Sequence, residues 1–267
     1  MHPPSGCAAS PPVGSEGVVR FDESMPSLSV VFPMRNEEGY VCRAVGAARE
    51  GAEAVTEDFE ILIVDDGSTD RTRELGEGLA RDDPRVRVFP QPRPRGLGAT
   101  LRAGYAAARG DLVLYSDADL PFDFHEVARA VRLLEVQEAE VLAAYRFDRT
   151  SEGLVRTVYT LAYSALVRAA FGLRLRDVNF SFKLFRRRLL ERIELRSDGS
   201  FIDAEFLVRA RNAGARVIQM GVDYFPRSHG RSTLASPAVI LGILAEMARL
   251  APGLWRGRLP GSFGRGQ

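Results

Sequence analysis

Short apolar runs alternate with segments of helical spacing along most of the chain. Leu28-Ser-Val-Val-Phe-Pro33 reads as a buried strand stopped by proline. Glu38 to Ala54 carries its apolar residues at helical spacing. Phe59-Glu-Ile-Leu-Ile-Val64 is a continuous apolar strand that runs directly into Asp65-Asp66-Gly67-Ser68. Thr69 to Ala80 reads as a helix with Ser and Asp capping candidates at its start. Arg85 to Phe89 has the period-two character of a strand, and Gly98 to Arg109 is Ala-rich and helical, ended by Gly110. Asp111 to Tyr115 predicts a fourth strand, which leads into Ser116-Asp117-Ala118-Asp119. Further on, Val141 to Tyr145 predicts a strand ending at Arg146. Val155 to Phe171 predicts a helix dominated by Val, Leu, Tyr and Ala, with Arg156 and Arg168 near its ends. Ser236-Pro237 opens a last helix, proline being favoured at the first helical position. Val239, Ile240, Ile243, Leu244, Met247 and Leu250 follow at helical spacing.

This alternation of strand and helix predicts an α/β fold built on a parallel, doubly wound sheet flanked by helices. Ligands of such sheets bind in the crevice outside the carboxyl ends of the strands. The expected division is a disordered leader over residues 1–27, rich in Pro, Gly and Ser and without the apolar core of a signal peptide. One catalytic domain follows over 28–234, then a C-terminal helix over 235–254 and a flexible tail over 255–267. No internal repeat occurs, and no window reaches the roughly 18 to 20 consecutive apolar residues of a spanning helix.

Composition changes this picture little. The chain of 267 residues is 45% hydrophobic and 27% charged, ordinary for a soluble globular protein, with ample material for a core. A net charge of +1 gives no global field toward nucleic acid or an anionic membrane, so nucleic acid is not an expected partner. Two cysteines, Cys7 and Cys42, form neither a disulfide framework nor a metal site by themselves, which fits a reducing, cytoplasmic setting.

The chemistry lies at the strand ends. Asp65, Asp66, Asp117 and Asp119 are expected to converge on one edge of the sheet. Asp66-Gly67 alone is equally well explained as a turn pair. The pair Asp117 and Asp119 is not, because two carboxylates one residue apart repel unless a cation or basic group lies between them. Hard oxygen ligands suit Mg²⁺ or Mn²⁺, which commonly take one or two carboxylates plus substrate phosphates. Such an ion bridges a diphosphate and stabilises the charge of the leaving group.

Phe32-Pro-Met-Arg-Asn-Glu37, Ile63-Val-Asp-Asp-Gly-Ser-Thr-Asp70 and Asp117-Ala-Asp-Leu120 together resemble three successive signatures of the family 2 glycosyltransferases of the GT-A fold. Gly96-Leu-Gly-Ala-Thr-Leu-Arg-Ala-Gly104 is similar to the segment preceding Asp-x-Asp in that family's dolichyl- and polyprenyl-phosphate sugar synthases. The resemblance spans roughly Leu28 to Leu234. It implies inverting transfer of a hexose from a UDP- or GDP-sugar to a lipid phosphate with help from Mg²⁺ or Mn²⁺. It gives Pro33, Arg35, Asn36, Glu37 and Gly96 to the nucleotide pocket, and Asp65 and Asp66 to the base and ribose. Asp117 would contact ribose or metal, and Asp119 would be the main metal ligand. Pro121 stands where the metal-binding subgroup often has Gln, with Asp123 a candidate substitute.

In the second half, the resemblance makes Arg146 a candidate for substrate phosphates, against the alternative of a solvated arginine. The helix from Val155 would be interfacial, on the membrane side of the site, against the alternative of core packing. Asp177-Val-Asn-Phe-Ser-Phe-Lys-Leu-Phe185 is similar to a segment beside donor sugar and acceptor, placing Asp177 near the sugar. Lys183 there replaces the usual arginine and loses its planar fork. Phe201-Ile-Asp-Ala-Glu205 resembles an acidic segment near the acceptor. Asp203 or Glu205 would be the general base for a hydroxyl acceptor, and would only position groups for a lipid phosphate, which is already ionised. Arg227-Ser-His-Gly-Arg-Ser232 matches a loop that closes over the diphosphate through Arg227 and Ser232. Arg231 adds charge there, Thr233 replaces a usual lysine, and His229 reads as a loop residue. The last helix reads as packed on the domain, the alternative being an amphipathic membrane foot. The expected partners are thus a nucleotide-sugar donor, a lipid-phosphate or hydroxyl acceptor, and a membrane surface or membrane protein. A non-catalytic nucleotide-sugar-binding protein is a third reading, against which intact Asp117 and Asp119 argue.

Overall fold

The computed structural model describes residues 25–147, 154–225 and 237–256. Most of the expected leader, the tail beyond Arg256, and the loop with Arg227, His229, Arg231, Ser232 and Thr233 lie outside the described residues. In chain order the elements are β1 (Leu28–Met34), α1 (Val41–Glu53), β2 (Phe59–Asp65), α2 (Thr72–Asp82), β3 (Val86–Pro90), α3 (Leu97–Ala107) and β4 (Leu112–Tyr115). Then come α4 (Glu126–Val136), β5 (Val141–Arg146), α5 (Leu154–Phe171), β6 (Lys183–Arg186), a 3-10 turn (Arg187–Glu191), α6 (Ile202–Asn212), β7 (Val217–Val222) and α7 (Pro237–Arg256). The predicted strands and helices are present with ends shifted by a few residues; α4, β6, α6 and β7 are additional.

The seven strands run in the order β3-β2-β1-β4-β6-β5-β7. Every pairing is parallel except the two made by β6, which is antiparallel to both β4 and β5. β5 therefore does not lie beside β4, as a simple continuation of the alternation would have it. β6 is inserted between them, and its first residue, Lys183, faces Tyr115 on one side and Ala143 on the other. An antiparallel strand begins where its neighbours end, so the approach to β6 reaches the carboxyl edge of the sheet.

Successive residues of a strand point to opposite faces, and both faces are covered here, which is why the strands read as continuous apolar runs. Val30, Phe32, Ile61, Ile63 and Leu114 pack with α1 and α4 in one core. Val31, Leu62, Val64, Val113 and Tyr115 pack with α3, α6 and α7 in the other. α7 buries Ile243, Leu250, Ala251 and Leu254 and leaves Leu241, Leu244 and Trp255 exposed. The Trp255 indole donates to Ala170 O at 2.9 Å, tying α7 to the end of α5.

Gly110 closes α3 against the central strand. A Cβ at that position would come within 2.7 Å of Ser29 N and 2.8 Å of Leu28 C, both backbone atoms of β1 that cannot yield without moving the strand. Gly110→Ala should cost about 2 kcal/mol or more, the scale of overpacking in a close-packed interior. Urea unfolding measures this; a loss below about 0.5 kcal/mol, the range of ordinary surface substitutions, would contradict the close approach.

Candidate active site

Three adjacent strands end together at the carboxyl edge. Met34 of β1 lies level with Asp65 of β2, and Asp117 follows Tyr115 of β4 by two residues on the other flank of β1. Asn36, just past β1, adopts the left-handed conformation (φ 55°), which asparagine tolerates better than most residues. Its amide donates to Ser68 Oγ at 2.9 Å, and its Oδ1 accepts the Thr69 amide at 2.8 Å. The Glu37 amide donates to Thr72 Oγ1 at 2.8 Å. The loops after β1 and β2 are thus joined by side-chain bonds, with Arg35 exposed beside them and Pro33 partly buried.

The two acids at the end of β2, Asp65 as its last residue and Asp66 just past it, are both buried, and both have local duties. Asp65 Oδ1 accepts the Ser68 amide at 3.0 Å, forming the turn in which Gly67 has φ 66°. Asp66 accepts the amides of Arg95 at 2.7 Å and Gly96 at 3.1 Å. The turn explanation of Asp66-Gly67 therefore holds for the backbone, while the Asp66 carboxylate fixes the loop that opens α3. Gly96 is required there: its φ is 94°, and a Cβ would approach Asp198 O to 2.5 Å.

Asp117 and Asp119 follow β4 and are partly buried. The Tyr115 hydroxyl donates to Asp117 Oδ1 at 3.1 Å. Burial pushes the Tyr115 hydroxyl well above its ordinary pKa, with the Asp117 and Asp203 charges adding to it, so it stays protonated as a donor. Leu120, next after Asp119, is held at φ 56°. A bulky residue in that region stores strain of order 1–3 kcal/mol, which is characteristic of sites where backbone position matters. Among the described residues no group of three or more His, Cys, Asp or Glu is arranged to hold a metal. Two carboxylates alone fit a hard divalent ion that completes its shell from phosphate oxygens. Asp123 is differently engaged: its Oδ1 accepts the His125 amide at 2.9 Å and meets the His125 ring at 2.8 Å, starting α4.

The opposite half of the edge is built by β5, β6 and α6. The side chain of Arg146, the last residue of β5, is 5% exposed, and its guanidinium binds fully buried Asp177 at 2.7 and 3.2 Å. It also lies 5.3 Å from the Phe180 ring and 5.2 Å from that of Tyr224. Neither of the two expectations for Arg146, a solvated arginine or a phosphate contact, includes this buried fork. Lys183 is 1% exposed and lies at 2.5 Å from both Asp203 Oδ1 and Phe180 O, with its ammonium 5.5 Å from the Tyr115 ring centre. Burial pushes the Asp203 carboxyl up; the Lys183 ammonium opposes this, and the Asp117 and Asp177 charges add to the rise.

The two acids of Phe201–Glu205 are separated by the fold. Asp203 faces Lys183. Glu205 is fully buried elsewhere, accepting the Arg196 amide at 3.0 Å, the Ser197 amide at 2.7 Å and Arg209 Nε at 2.7 Å. Its oxygens fix the loop before α6. Tyr115 was not singled out in the sequence, although its alternation with Asp117 places both on one face of the strand end.

Removing one partner of a buried pair leaves a charge uncompensated, at a cost of about 3–5 kcal/mol. Asp177→Asn should lose stability on that scale in urea unfolding, and the double variant Arg146→Met/Asp177→Leu should recover most of it. Equal loss in single and double variants would show that the pair is not what holds the two segments.

Residues 29–194 match the family described as Glycosyl transferase family 2. The chain is 32% identical over 229 residues to Glycosyltransferase AglD of Haloferax volcanii, covering 83% of this chain and 36% of that protein's length. It is 30% identical over 249 residues to the dodecaprenyl-phosphate galacturonate synthase of Rhizobium johnstonii, covering 90% of this chain and 72% of that protein. Among solved structures, it resembles glucosyl-3-phosphoglycerate synthase from Mycobacterium tuberculosis in complex with Mn²⁺ and UDP-glucose. The TM-score is 0.61 at 21% identity, over 91% of this chain and 83% of that one. The fold is that of the GT-A glycosyltransferases.

Proposed function

The chain belongs to glycosyl transferase family 2, and on that footing we propose that it moves a sugar from a nucleoside-diphosphate sugar to a polyprenyl phosphate, with inversion. The observation that carries the choice of acceptor is the charge balance of the acceptor half. Asp177 is matched by Arg146 and Asp203 by Lys183, all four buried. Neither pair carries a net negative charge, so an anionic acceptor is not repelled. A hydroxyl acceptor needs a carboxylate to take its proton, and Asp203 is engaged by a buried ammonium. A lipid phosphate needs no base. The name of the Rhizobium relative, a dodecaprenyl-phosphate galacturonate synthase, agrees with this reading.

In the proposed reaction an acceptor phosphate oxygen attacks the anomeric carbon, and the bond from that carbon to the nucleoside diphosphate breaks. Asp117 and Asp119 would hold Mg²⁺ or Mn²⁺, which neutralises charge on the departing diphosphate. Pro33, Arg35, Asn36, Glu37 and Asp65 would shape the nucleotide pocket, with Asp66 and Gly96 holding its wall. Arg227 and Ser232 are proposed to close over the phosphates, with the donor a UDP- or GDP-sugar. Asp177 with Arg146, and Asp203 with Lys183, position the acceptor phosphate. We place the meeting with lipid at α5 and α7, whose Leu161, Leu166, Leu241 and Leu244 are exposed, since exposed apolar side chains suit an interface. No described helix is long and apolar enough to cross a membrane.

Incubation with labelled UDP- and GDP-sugars, polyprenyl phosphate and Mn²⁺ should give labelled lipid, reduced about 100-fold or more in Asp119→Ala. Asp203→Asn then separates the acceptor classes. With a phosphate acceptor the rate should fall less than about tenfold, whereas loss of a general base costs about 10²–10⁴-fold. Transfer only to hydroxyl acceptors, with the larger loss, would overturn the phosphate reading.

A further inference from the structure

α7 reads in the sequence as an apolar helix, yet it carries one carboxylate, Glu246, amid that apolar surface. Glu246 Oε1 accepts the amides of Asp198 and Gly199, both at 2.9 Å, and Oε2 accepts the Ser197 hydroxyl at 2.8 Å. The loop lies close to the carboxylate: a Cβ on Gly199 would come within 2.9 Å of Glu246 Oε2.

The same loop closes the start of α3. That helix has no side-chain cap. Instead, Asp198 O accepts the amides of Gly98 at 2.8 Å and Ala99 at 3.2 Å, satisfying N–H groups that a helix start leaves unpaired. Arg102, one turn further along α3, donates to Ser197 O and to Asp198 Oδ1, both at 2.6 Å. Cβ atoms on Gly96 or Gly98 would strike this loop's backbone at 2.5 and 2.3 Å, so the two segments are in direct backbone contact. Gly96 in turn donates its amide to Asp66 at the end of β2. On its other side the loop enters α6, where Gly199 O accepts the Ile202 amide one residue before Asp203.

A continuous set of hydrogen bonds therefore runs from α7 through residues 197–199 to the α3 start and Asp66, with a branch to the Ile202 amide at the start of α6. We propose that Glu246 is a positioning residue: it sets the 197–199 loop and, through it, the wall of the donor pocket, so the seating of α7 controls donor affinity. The inference rests on the donor-pocket reading of the β2 edge. It also gives the α7 face a consequence, because whatever holds α7 acts on the same loop.

Glu246→Met keeps the length of the side chain but removes the oxygens that accept two amides and a hydroxyl. Arg102→Met loosens the same loop from the α3 side and serves if the first variant folds poorly. Hydrogen exchange by mass spectrometry over residues 96–99, and titration of UDP and GDP in the presence of Mn²⁺, are the two readouts. Each variant should exchange faster at Gly98 and Ala99 and bind the nucleotide about tenfold more weakly, the scale of one charge-assisted hydrogen bond. In turnover the donor KM should rise with kcat little changed. The double variant should add little to either single one, as expected for residues acting through one loop. Unchanged exchange at Gly98 and Ala99, or faster exchange with unchanged nucleotide affinity, would overturn the inference while leaving the donor reading intact. Wild-type protein that binds neither nucleotide would overturn the donor reading and this inference with it.

Discussion

Carboxylates gathered at a buried sheet edge need either backbone amides or positive charge to hold them, and those left without amides need the charge. Taking an ion out of water costs several kcal/mol even after relaxation, and a second like charge nearby raises the cost. Asp177 and Asp203 are both buried, and the Asp177 charge is among the causes that push the Asp203 carboxyl up. The fold meets the constraint by topology. Because β6 is antiparallel, Lys183 enters the sheet at the end where β4 and β5 stop, within reach of Asp203. Arg146 arrives at the same edge as the last residue of β5 and takes Asp177. A parallel strand in the place of β6 would deliver its first residue to the opposite edge and leave Asp203 without its cation.

This divides the edge into two chemical halves. On one side the acids are matched by resident cations, and nothing further is required for neutrality. On the other, Asp117 and Asp119 follow β4 and suit a divalent ion that is itself completed by phosphate oxygens. Tyr115 touches both halves: its hydroxyl donates to Asp117 while its ring lies under the Lys183 ammonium. The loops around the donor half are held by backbone amides bound to Asp65, Asp66 and, further out, Glu205 and Glu246. Carboxylates in this protein thus serve two purposes, and burial with amide partners distinguishes those that hold loops from those that face the site.

Much of the first half was legible in the sequence because its signals are local. Apolar runs such as Phe59–Val64 and the acids directly after them fix both a strand and what lies at its end. The second half is less readable, since its organisation depends on non-local pairing. Lys183-Leu-Phe-Arg186 is only four residues with a charge at each end, and nothing in it announces an antiparallel insertion. α6 buries Asp203 and Glu205 along with its apolar residues, so it lacks the polar face by which a helix is usually detected. The different fates of Asp203 and Glu205, two residues apart, follow from α6 geometry and from which loop reaches each. Glu246 was hidden for the opposite reason: it is one acid in an apolar helix, and the three groups that donate hydrogen bonds to it are 47 to 49 residues away.

The division of the edge is tested most directly by titrating Mn²⁺ into the protein with and without UDP or GDP, followed by electron paramagnetic resonance. Two protein carboxylates and a diphosphate predict weak Mn²⁺ binding alone and much tighter binding with nucleotide. That binding should be lost in Asp119→Ala and retained in Asp203→Asn, because Asp203 belongs to the half already neutralised by Lys183. Tight Mn²⁺ binding without nucleotide, or its loss in Asp203→Asn, would show that the two halves are one metal site and contradict the division.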